Sequence, residues 1–169
     1  MNLRLLNQTT ASSVASVSIT DVFTSDFDIY KMTIVYDNSA GNVLKTQMIN
    51  PAGSVINISN YEWAVYQMRA AGSFQEQKSA NDTSWRMSYE GTEGWNVTTY
   101  LFNPCNQSAY TFYTTESSGY YGGAGLTSLH LRGIGVLEYT AMMTGIKFSV
   151  VGSNLDEFTC RIYGVRIDT

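Results

Sequence analysis

The sequence predicts an all-β fold: a two-sheet antiparallel sandwich of jelly-roll-like order with a short N-terminal arm. Short runs of alternating apolar and polar residues recur at a spacing of about 8 to 12 residues, with Gly, Asn, Asp and Pro between them. Aromatic residues make up 13% of the chain and charged residues only 14%, a composition that suits strands. Residues 145–166 form two alternating runs around a Gly-Ser-Asn turn, and their apolar face requires a second sheet to cover it.

The chain has 169 residues, which is enough for one domain with its own core. We therefore expect a single β-sandwich domain over residues 1–169. Residues 7–18 are small and polar until alternation begins at Val17, so we expect residues 1–14 to form an extended arm that is mobile or docked on a partner. A first strand follows near residues 15–20, and the Ser and Asp side chains of residues 21–28 suit a turn.

Residues 29–36 and 43–49 both alternate around a turn-forming cluster, which predicts a hairpin. Residues 61–71 fit both a strand and a helical pattern, and we expect a short helix or an irregular crossover there. Residues 72–82 are polar and without periodicity, so they are predicted as a surface loop.

The second half of the chain is more regular. Residues 85–89 and 95–101 alternate on either side of a Gly-containing turn, which predicts a strand pair that ends at Asn103 and Pro104. Residues 110–114 predict another strand, and residues 117–125 a loop of Gly, Tyr and Ser. Residues 128–139 predict a strand in which two glycines mark a bulge or a close approach. Residues 145–150 and 158–163 predict a final hairpin.

Composition excludes several classes of function. The formal charge of -4 and the pI near 4.8, with Lys and Arg scattered singly, argue against nucleic-acid binding. No apolar run is long enough for a membrane span, and the opening residues have too short an apolar run for a signal peptide. Cys105 and Cys160 are expected to be small buried hydrophobic residues, with a single disulfide as the alternative.

Catalytic and metal-binding patterns are weak. His130 is the one histidine of the chain; it lies between two leucines on an alternating strand, which favours a surface or interface position. Turn formation explains Asp21, Asp26 and Asp28 better than a calcium site does. Glu90, Glu93 and Glu116 lie near predicted strand ends and are expected to be solvated rather than paired as in glycosidases. We therefore predict no catalytic residues, no metal and no cofactor.

Two segments have a composition that suits contact with a partner. The Gly/Tyr/Ser loop can adapt its backbone while it presents flat aromatic rings, although a plain flexible connection would look the same. The small polar residues of the arm suit docking on a neighbouring protein. The predicted partner-binding residues are Tyr120, Tyr121, Gly122, Gly123, Thr9, Thr10, Ser12 and Ser13. Tyr61, Trp63 and Tyr66 are further candidates for stacking on sugar rings or for anchoring a partner, with core packing as the alternative.

Several short pieces of the chain resemble small β-rich virion proteins of tailed bacteriophages. These pieces are residues 18–31, 101–104, 144–148 and 152–154, the last running into residues 161–165. The resemblance implies a jelly-roll structural protein of the virion, either a capsid decoration (cement) protein or a tail or fibre component. It carries no catalytic residues over, because the matching positions are turns and core residues.

The expected function is therefore non-enzymatic: the protein binds the exterior of the shell and stabilises it. The resemblance implies a homotrimer, with the major capsid protein or another virion protein as partner, and a virion location after assembly in the host cytoplasm. The alternative is a carbohydrate-binding module of a tail fibre or receptor-binding protein, with a host-surface glycan as ligand. A polysaccharide-degrading enzyme is a third and weaker reading.

Overall fold

A computed structural model describes residues 2–72, 74–91, 93–121 and 127–166. These residues form an antiparallel β-sandwich, which confirms the predicted fold class, and they contain no helix and therefore no helix that could span a membrane. The strands are β1 (Asn2–Val14), β2 (Ser16–Ile19), β3 (Ile29–Asp37), β4 (Leu44–Ile49), β5 (Tyr61–Arg69), β6 (Phe74–Asp82), β7 (Trp85–Arg86), β8 (Glu93–Phe102), β9 (Thr111–Tyr121), β10 (Thr127–Leu137), β11 (Gly145–Val150) and β12 (Leu155–Arg166).

The sandwich has one large and one small sheet. The large sheet contains eight strands in the order β1-β12-β3-β8-β9-β10-β5-β6, and the small sheet contains four in the order β2-β11-β4-β7. Since the small sheet covers one face of the large sheet, period-2 alternation along each large-sheet strand sends one set of side chains into the core and the other outward. β1 and β6 are the two edges of the large sheet.

Aromatic residues fill much of the space between the sheets. Trp85 of the small sheet packs against Tyr61 and Tyr113 of the large sheet, with ring centroids 5.3 and 4.8 Å apart. The buried phenol groups are hydrogen-bonded: Tyr113 donates to the carbonyl of Arg86 at 2.9 Å, and Tyr36 and the hydroxyl of Ser88 are 2.5 Å apart. The core thus buries tyrosine at little polar cost, because each phenol finds a partner.

The predicted C-terminal hairpin is wrong. β11 belongs to the small sheet and β12 to the large one, so the turn at Gly152, where φ is 69°, moves the chain from one sheet to the other. Phe148 and Phe158 face each other across the core with ring centroids 5.3 Å apart instead of lying side by side on paired strands. Alternation identifies the buried face of each strand, but it does not say whether consecutive strands pair or face each other.

Two other predicted pairs are divided between the sheets in the same way. β3 pairs with β12 and β8 in the large sheet, whereas β4 pairs with β11 and β7 in the small sheet. The residues around Trp85 form the short strand β7 of the small sheet, and β8 pairs with β3 and β9 instead. The strand end before Asn103 and Pro104 is confirmed, since β8 ends at Phe102.

The predictions for residues 61–71 and 72–82 are also wrong. Both segments are strands, β5 and β6, which pair with each other. β5 carries the buried polar residue Gln67 at a core position, which weakens its apolar alternation. β6 is an edge strand whose residues are mostly polar and exposed. Because it has no buried face, its sequence shows no alternation of apolar and polar residues from which a strand could be predicted.

The segment predicted as a mobile or partner-docked arm is extended, but it is paired within the chain. Residues from Asn2 to Val14 form β1, which lies antiparallel to β12 with one register shift between Leu5 and Asn7. Leu6, Ala11 and Val14 pack against the core. The prediction of a mobile or partner-docked arm is wrong, because backbone hydrogen bonds to β12 hold this strand in place even though few of its side chains are apolar.

Two smaller predictions are confirmed. Cys105 and Cys160 are free thiols, the first partly buried and the second fully buried. Gly135 of β10 is a site of close approach, because a Cβ atom there would overlap the ring of Tyr113.

Candidate functional site

The outward surface of the large sheet is the main candidate for a functional site, and we call it the outer face. The registers of the paired strands arrange its side chains in four rows that run from β6 to β1. The first row is Phe74, Met68, His130, Ser118, Asn96, Val35, Thr159 and Thr10. The second is Glu76, Tyr66, Arg132, Glu116, Thr98, Thr33, Arg161 and Gln8. The third is Lys78, Ala64, Ile134, Thr114, Tyr100, Lys31, Tyr163 and Leu5. The fourth is Ala80, Glu62, Val136, Phe112, Phe102, Ile29, Val165 and Leu3.

Large apolar side chains are concentrated on the outer face. Twelve such side chains are exposed among the described residues, and nine of them lie here. Ile134 is 62% exposed and Phe74 is 67% exposed, and the ring of Phe74 stacks on that of Tyr66 with centroids 5.5 Å apart. Contiguous apolar exposure of this kind usually marks an interaction surface. The nine side chains are Leu3, Leu5, Val35, Tyr66, Met68, Phe74, Phe112, Tyr120 and Ile134.

Most charged groups of the outer face contact groups of the same face. Glu116 Oε1 lies 2.5 Å from Arg132 Nη2, on neighbouring strands. Lys78 Nζ lies 2.7 Å from Glu76 Oε1, and this contact lowers the pKa of Glu76 and raises that of Lys78. Lys31 Nζ stands 5.9 Å from the ring centroid of Tyr100. Because these groups are exposed, the pairs add little stability, and their effect is to lower the charge that a partner would meet.

Two adjoining grooves cross the outer face. The first, of about 660 Å³, lies between Tyr66, Tyr100 and the pair formed by Glu116 and Arg132. The second, of about 520 Å³, adjoins it near Ile134 and includes Phe112. Both grooves are shallow depressions on an open surface, so they suit the side chains or rings of a partner better than an enclosed small molecule.

The outer face had a sequence signal that our predictions did not use. Along β10 the buried leucines occupy odd positions, Leu129, Leu131 and Leu137, whereas Ile134 lies at an even position and points outward. A strand with large apolar residues at both odd and even positions has apolar side chains on both faces. Such a strand is either covered on both faces or has an exposed apolar face that can bind a partner. The sequence therefore contained the signal, but assigning it to one surface required the register of the strands.

The predicted partner-binding residues lie in two places. Tyr120 is on the outer face near the end of β9 and is 38% exposed. Tyr121 is the last described residue of β9, and Gly122 and Gly123 lie outside the described residues. Most of the predicted loop is strand, since β9 continues to Tyr121.

The predicted residues of the arm belong to β1. Thr10 and Ser12 are exposed and face outward, whereas Thr9 is partly buried and its hydroxyl donates to Asn7 Oδ1 at 2.7 Å. Ser13 is exposed and has a φ of 54°, which bends the strand before the chain passes to the small sheet. These residues lie on β1 at one edge of the large sheet. Three strands, β12, β3 and β8, separate them from Tyr120 on β9.

The three predicted stacking residues of β5 differ in exposure. Tyr61 is fully buried, and its hydroxyl accepts from the Met48 amide and donates to the Ile56 carbonyl, both at 3.0 Å. Trp63 is partly buried, and its Nε1 donates to Asp82 Oδ2 at 3.0 Å. Tyr66 alone of the three belongs to the outer face. Tyr61 is therefore a core residue, and Tyr66 is an exposed residue that remains a candidate for partner contact.

His130 lies on the outer face, where its Nδ1 is 3.0 Å from the hydroxyl of Ser118. Its direct cross-strand neighbours are Met68 and Ser118, neither of which is a carboxylate that would orient the imidazole as a base. The position agrees with the predicted surface location.

The carboxylates considered at first are not brought together as a site. Glu116 is paired with Arg132, and Glu93 lies opposite Tyr120 in the sheet. Within residues 2–72, 74–91, 93–121 and 127–166, no group of three or more His, Cys, Asp or Glu residues is arranged to hold a metal ion. Asp21 has a φ of 54°, as expected for a turn residue.

One partly buried polar cluster had no counterpart in the predictions. The guanidinium of Arg86 lies over the rings of Tyr89 and Trp63, with its carbon 5.0 and 5.7 Å from their centroids, and its Nε donates to the Ser88 carbonyl at 3.0 Å. Arg69 lies on Tyr89 as well, at 5.3 Å. Burial lowers the pKa of Arg86. The cluster fastens the end of β5 to the segment after β7, which is a structural role.

Comparison with known proteins adds little to this description. No protein-family profile matches the sequence, and no curated protein matches it. Among solved structures, the chain is similar to a fructofuranosidase variant from Schwanniomyces occidentalis in complex with fructosylnystose, with 8% identity and a TM-score of 0.28. The match covers 96% of this chain and 34% of the fructofuranosidase chain, so this chain spans about a third of that protein. A likeness at this level carries no argument about function.

Proposed function

We propose that this chain is a non-enzymatic structural protein of a tailed-bacteriophage virion, a capsid decoration protein that binds the exterior of the shell and stabilises it. The assignment to a virion rests on the sequence resemblance. The outer face supports the more general part of the proposal, namely a protein whose role is to bind another protein.

The single observation that carries the proposal is the concentration of exposed apolar side chains on the outer face. Eight strands at a spacing of about 4.8 Å occupy about 38 Å, and four rows at about 6.8 Å occupy about 27 Å, so the rows cover about 1,000 Å². A stable protein interface buries about 800 Å² on each partner. The outer face is therefore large enough to hold the protein on a shell without help from another surface.

The charges of the outer face favour a protein partner over a polyanion. The whole chain has a formal charge of -4, whereas the four rows carry nearly equal numbers of positive and negative groups. A nearly neutral surface with an apolar centre matches the composition of protein interfaces, in which charges are depleted at the core. The charged residues of the rows are Glu62, Glu76, Glu116, Lys31, Lys78, Arg132 and Arg161.

The ionisable groups of this face also support a non-catalytic role. Glu116 and Glu76 are exposed and each contacts a cation. A general acid or base is usually held in a site where burial or a like charge shifts its pKa toward neutrality. The contact with Lys78 lowers the pKa of Glu76, which keeps this carboxyl group ionised.

The first test is the copy number of this chain in purified phage particles, measured by quantitative mass spectrometry against the major shell protein. A decoration protein is expected at a ratio close to that of the shell protein. A few copies per particle would place it on the tail, and complete absence from particles would refute the virion proposal.

The second test asks whether the outer face is the binding surface. Ile134→Glu places a charge where the two grooves adjoin. We expect binding to shells that lack the protein to weaken by about 30-fold or more, the effect of losing an interface hot spot worth about 2 kcal/mol. Val151→Glu is the matched control, because Val151 is 55% exposed and Ile134 is 62% exposed, but Val151 lies in the turn after β11. Equal binding by both variants would exclude the outer face as the docking surface.

A second candidate function is glycan binding by a tail-fibre or receptor-binding module. The observation that favours it is the groove in which Tyr66 and Tyr100 flank the polar pair of Glu116 and Arg132, because sugar sites combine aromatic rings with hydrogen-bonding groups. On a glycan array, Tyr100→Ala should abolish any binding that this groove provides, whereas Tyr110→Ala, at a tyrosine outside the four rows, should not. Tyr120→Ala tests the site predicted from sequence. No glycan bound by the wild-type protein would eliminate this candidate.

A further inference from the structure

The free edge of β1 is the second unusual surface of the protein. β1 runs from Asn2 to Val14 and pairs on one side with β12. No described strand pairs with its other side, so it forms one edge of the large sheet. In an antiparallel pair, alternate residues turn their N–H and C=O groups away from the partner, and along an edge strand these groups are available to another chain.

Residues 7–12 of β1 lack the features that normally protect such an edge. Residues 7–12 read Asn-Gln-Thr-Thr-Ala-Ser, without a charge or a proline, and they pair with β12 without a register shift. The opposite edge, β6, carries Glu76, Lys78 and Asp82 and has a register shift where its end pairs with β5. Charges and bulges are the usual means of preventing edge-to-edge association. In β1 they are confined to Arg4 and the register shift between Leu5 and Asn7, so residues 7–12 are its unprotected part.

We propose that β1 pairs with β1 of a second copy of this chain, antiparallel and across a twofold axis. A self-paired edge closes after two copies, whereas pairing β1 with β6 of the next copy would leave free edges at both ends and allow open-ended growth. The uncharged segment meets itself without repulsion, and cross-strand pairs of Thr and Ser on the outer side stabilise such contacts. The two large sheets then form one continuous sheet.

The faces of the sheets restrict the register of this contact. Gln8 and Thr10 point to the outer side, because they lie opposite Arg161 and Thr159 of the rows. Ser12 is two residues further along β1 and therefore points to the same side. Side chains directly opposite each other point to the same side, so outward residues of one copy must oppose outward residues of the other. When the contact is centred on the uncharged residues 7–12, the axis passes through Thr9 or Thr10. In either register the two Thr10 side chains are opposite or diagonal neighbours.

The contact predicts a dimer rather than the trimer that the phage resemblance implies. It also joins two outer faces side by side on the same surface of the particle. The inference does not depend on the proposed function, since it concerns two copies of the chain and leaves the rows free for another partner.

The test uses the purified full chain without any shell. Light scattering coupled to gel filtration should give twice the chain mass of 18.7 kDa for the wild-type protein. Thr10→Lys places like charges next to each other at the axis, so the dimer dissociation constant should rise by about tenfold or more. Thr10→Glu should have the same effect, and a mixture of the two variants should recover the dimer, because the pair then has opposite charges. Circular dichroism of each variant confirms its strand content.

Ala80→Lys is the matched control, since Ala80 is exposed on the opposite edge strand and faces the same side. It should leave the dimer unchanged. A wild-type monomer at all concentrations overturns the proposal, as does a dimer or trimer that tolerates Thr10→Lys. A loss of association with Ala80→Lys indicates β1-to-β6 pairing and also overturns it. If the dimer proposal fails but the protein still binds shells and Ile134→Glu still weakens that binding, the proposed function stands.

Discussion

Gly119 provides the sharpest test of the described structure, because sequence and structure assign it opposite roles. The sequence places it in a flexible Gly/Tyr/Ser loop, whereas the structure places it within β9 against the indole of Trp95. A Cβ atom at Gly119 would overlap three atoms of that ring. Trp95 is fully buried, so the indole has little room to move away. Gly119→Ala therefore adds one methyl group to a packed contact.

The expected cost can be estimated from two opposing effects. Extra methyl groups in a packed core cost about 1–3 kcal/mol. Replacing Gly by Ala recovers about 0.4–1 kcal/mol, because the unfolded chain loses freedom. Because a Cβ atom at Gly119 would overlap the buried ring of Trp95, the upper part of the first range applies, and the net destabilisation should be about 1–2 kcal/mol. For a domain of 169 residues, this lowers the melting temperature by about 2–8 °C.

Thermal unfolding followed by tryptophan fluorescence measures this effect, and the spectrum of the folded variant should also change because Trp95 is displaced. Gly94→Ala is the control: the site is exposed, and a Cβ atom there would approach only the Tyr36 carbonyl, at 4.0 Å, so stability should stay the same or rise slightly. A Gly119→Ala protein as stable as the Gly94→Ala protein would show that residues around 119 form a loop, as the sequence alone suggested.

Two further predictions concern buried polar groups. Tyr113→Phe removes the donor to the Arg86 carbonyl and should cost about 1–3 kcal/mol in a urea titration, whereas Tyr66→Phe on the outer face should cost nothing measurable; equal stabilities would contradict the buried bond. Burial raises the pKa of Cys160 to about 12 and also raises the pKa of Tyr36 and Tyr61. The folded state keeps these protons while the unfolded state loses them above about pH 8.5 to 10. These three groups therefore leave the free energy of unfolding unchanged between about pH 7 and pH 8 and make it fall as the pH rises toward 12. Urea titrations from about pH 7 to about pH 11 measure this fall, and a flat profile would exclude the linkage.

The candidate site was only partly predictable from the sequence. Tyr66 and Tyr120 are among the aromatic residues predicted to contact a partner, but so is the buried Tyr61, and Ile134 and Phe112 lie in segments predicted only as strands. Side chains of the outer face come from eight strands scattered over the chain, and only their registers show that Ile134, Thr114 and Tyr100 form one row. The same holds for the arm residue Thr10, whose small polar character was visible while its place on a sheet edge was not.

The sequence by itself determined that the chain is all-β, because period-2 alternation and turn residues act over a few neighbouring positions. It also determined which face of most strands is buried. Only the tertiary structure decided which strands pair and which face each other: β11 and β12 are joined by a short turn and yet lie in different sheets. Pairing depends on hydrogen bonds between backbones, which are the same for every residue type except proline. For that reason the edge strands β1 and β6, which bury few side chains, looked in the sequence like an arm and a loop.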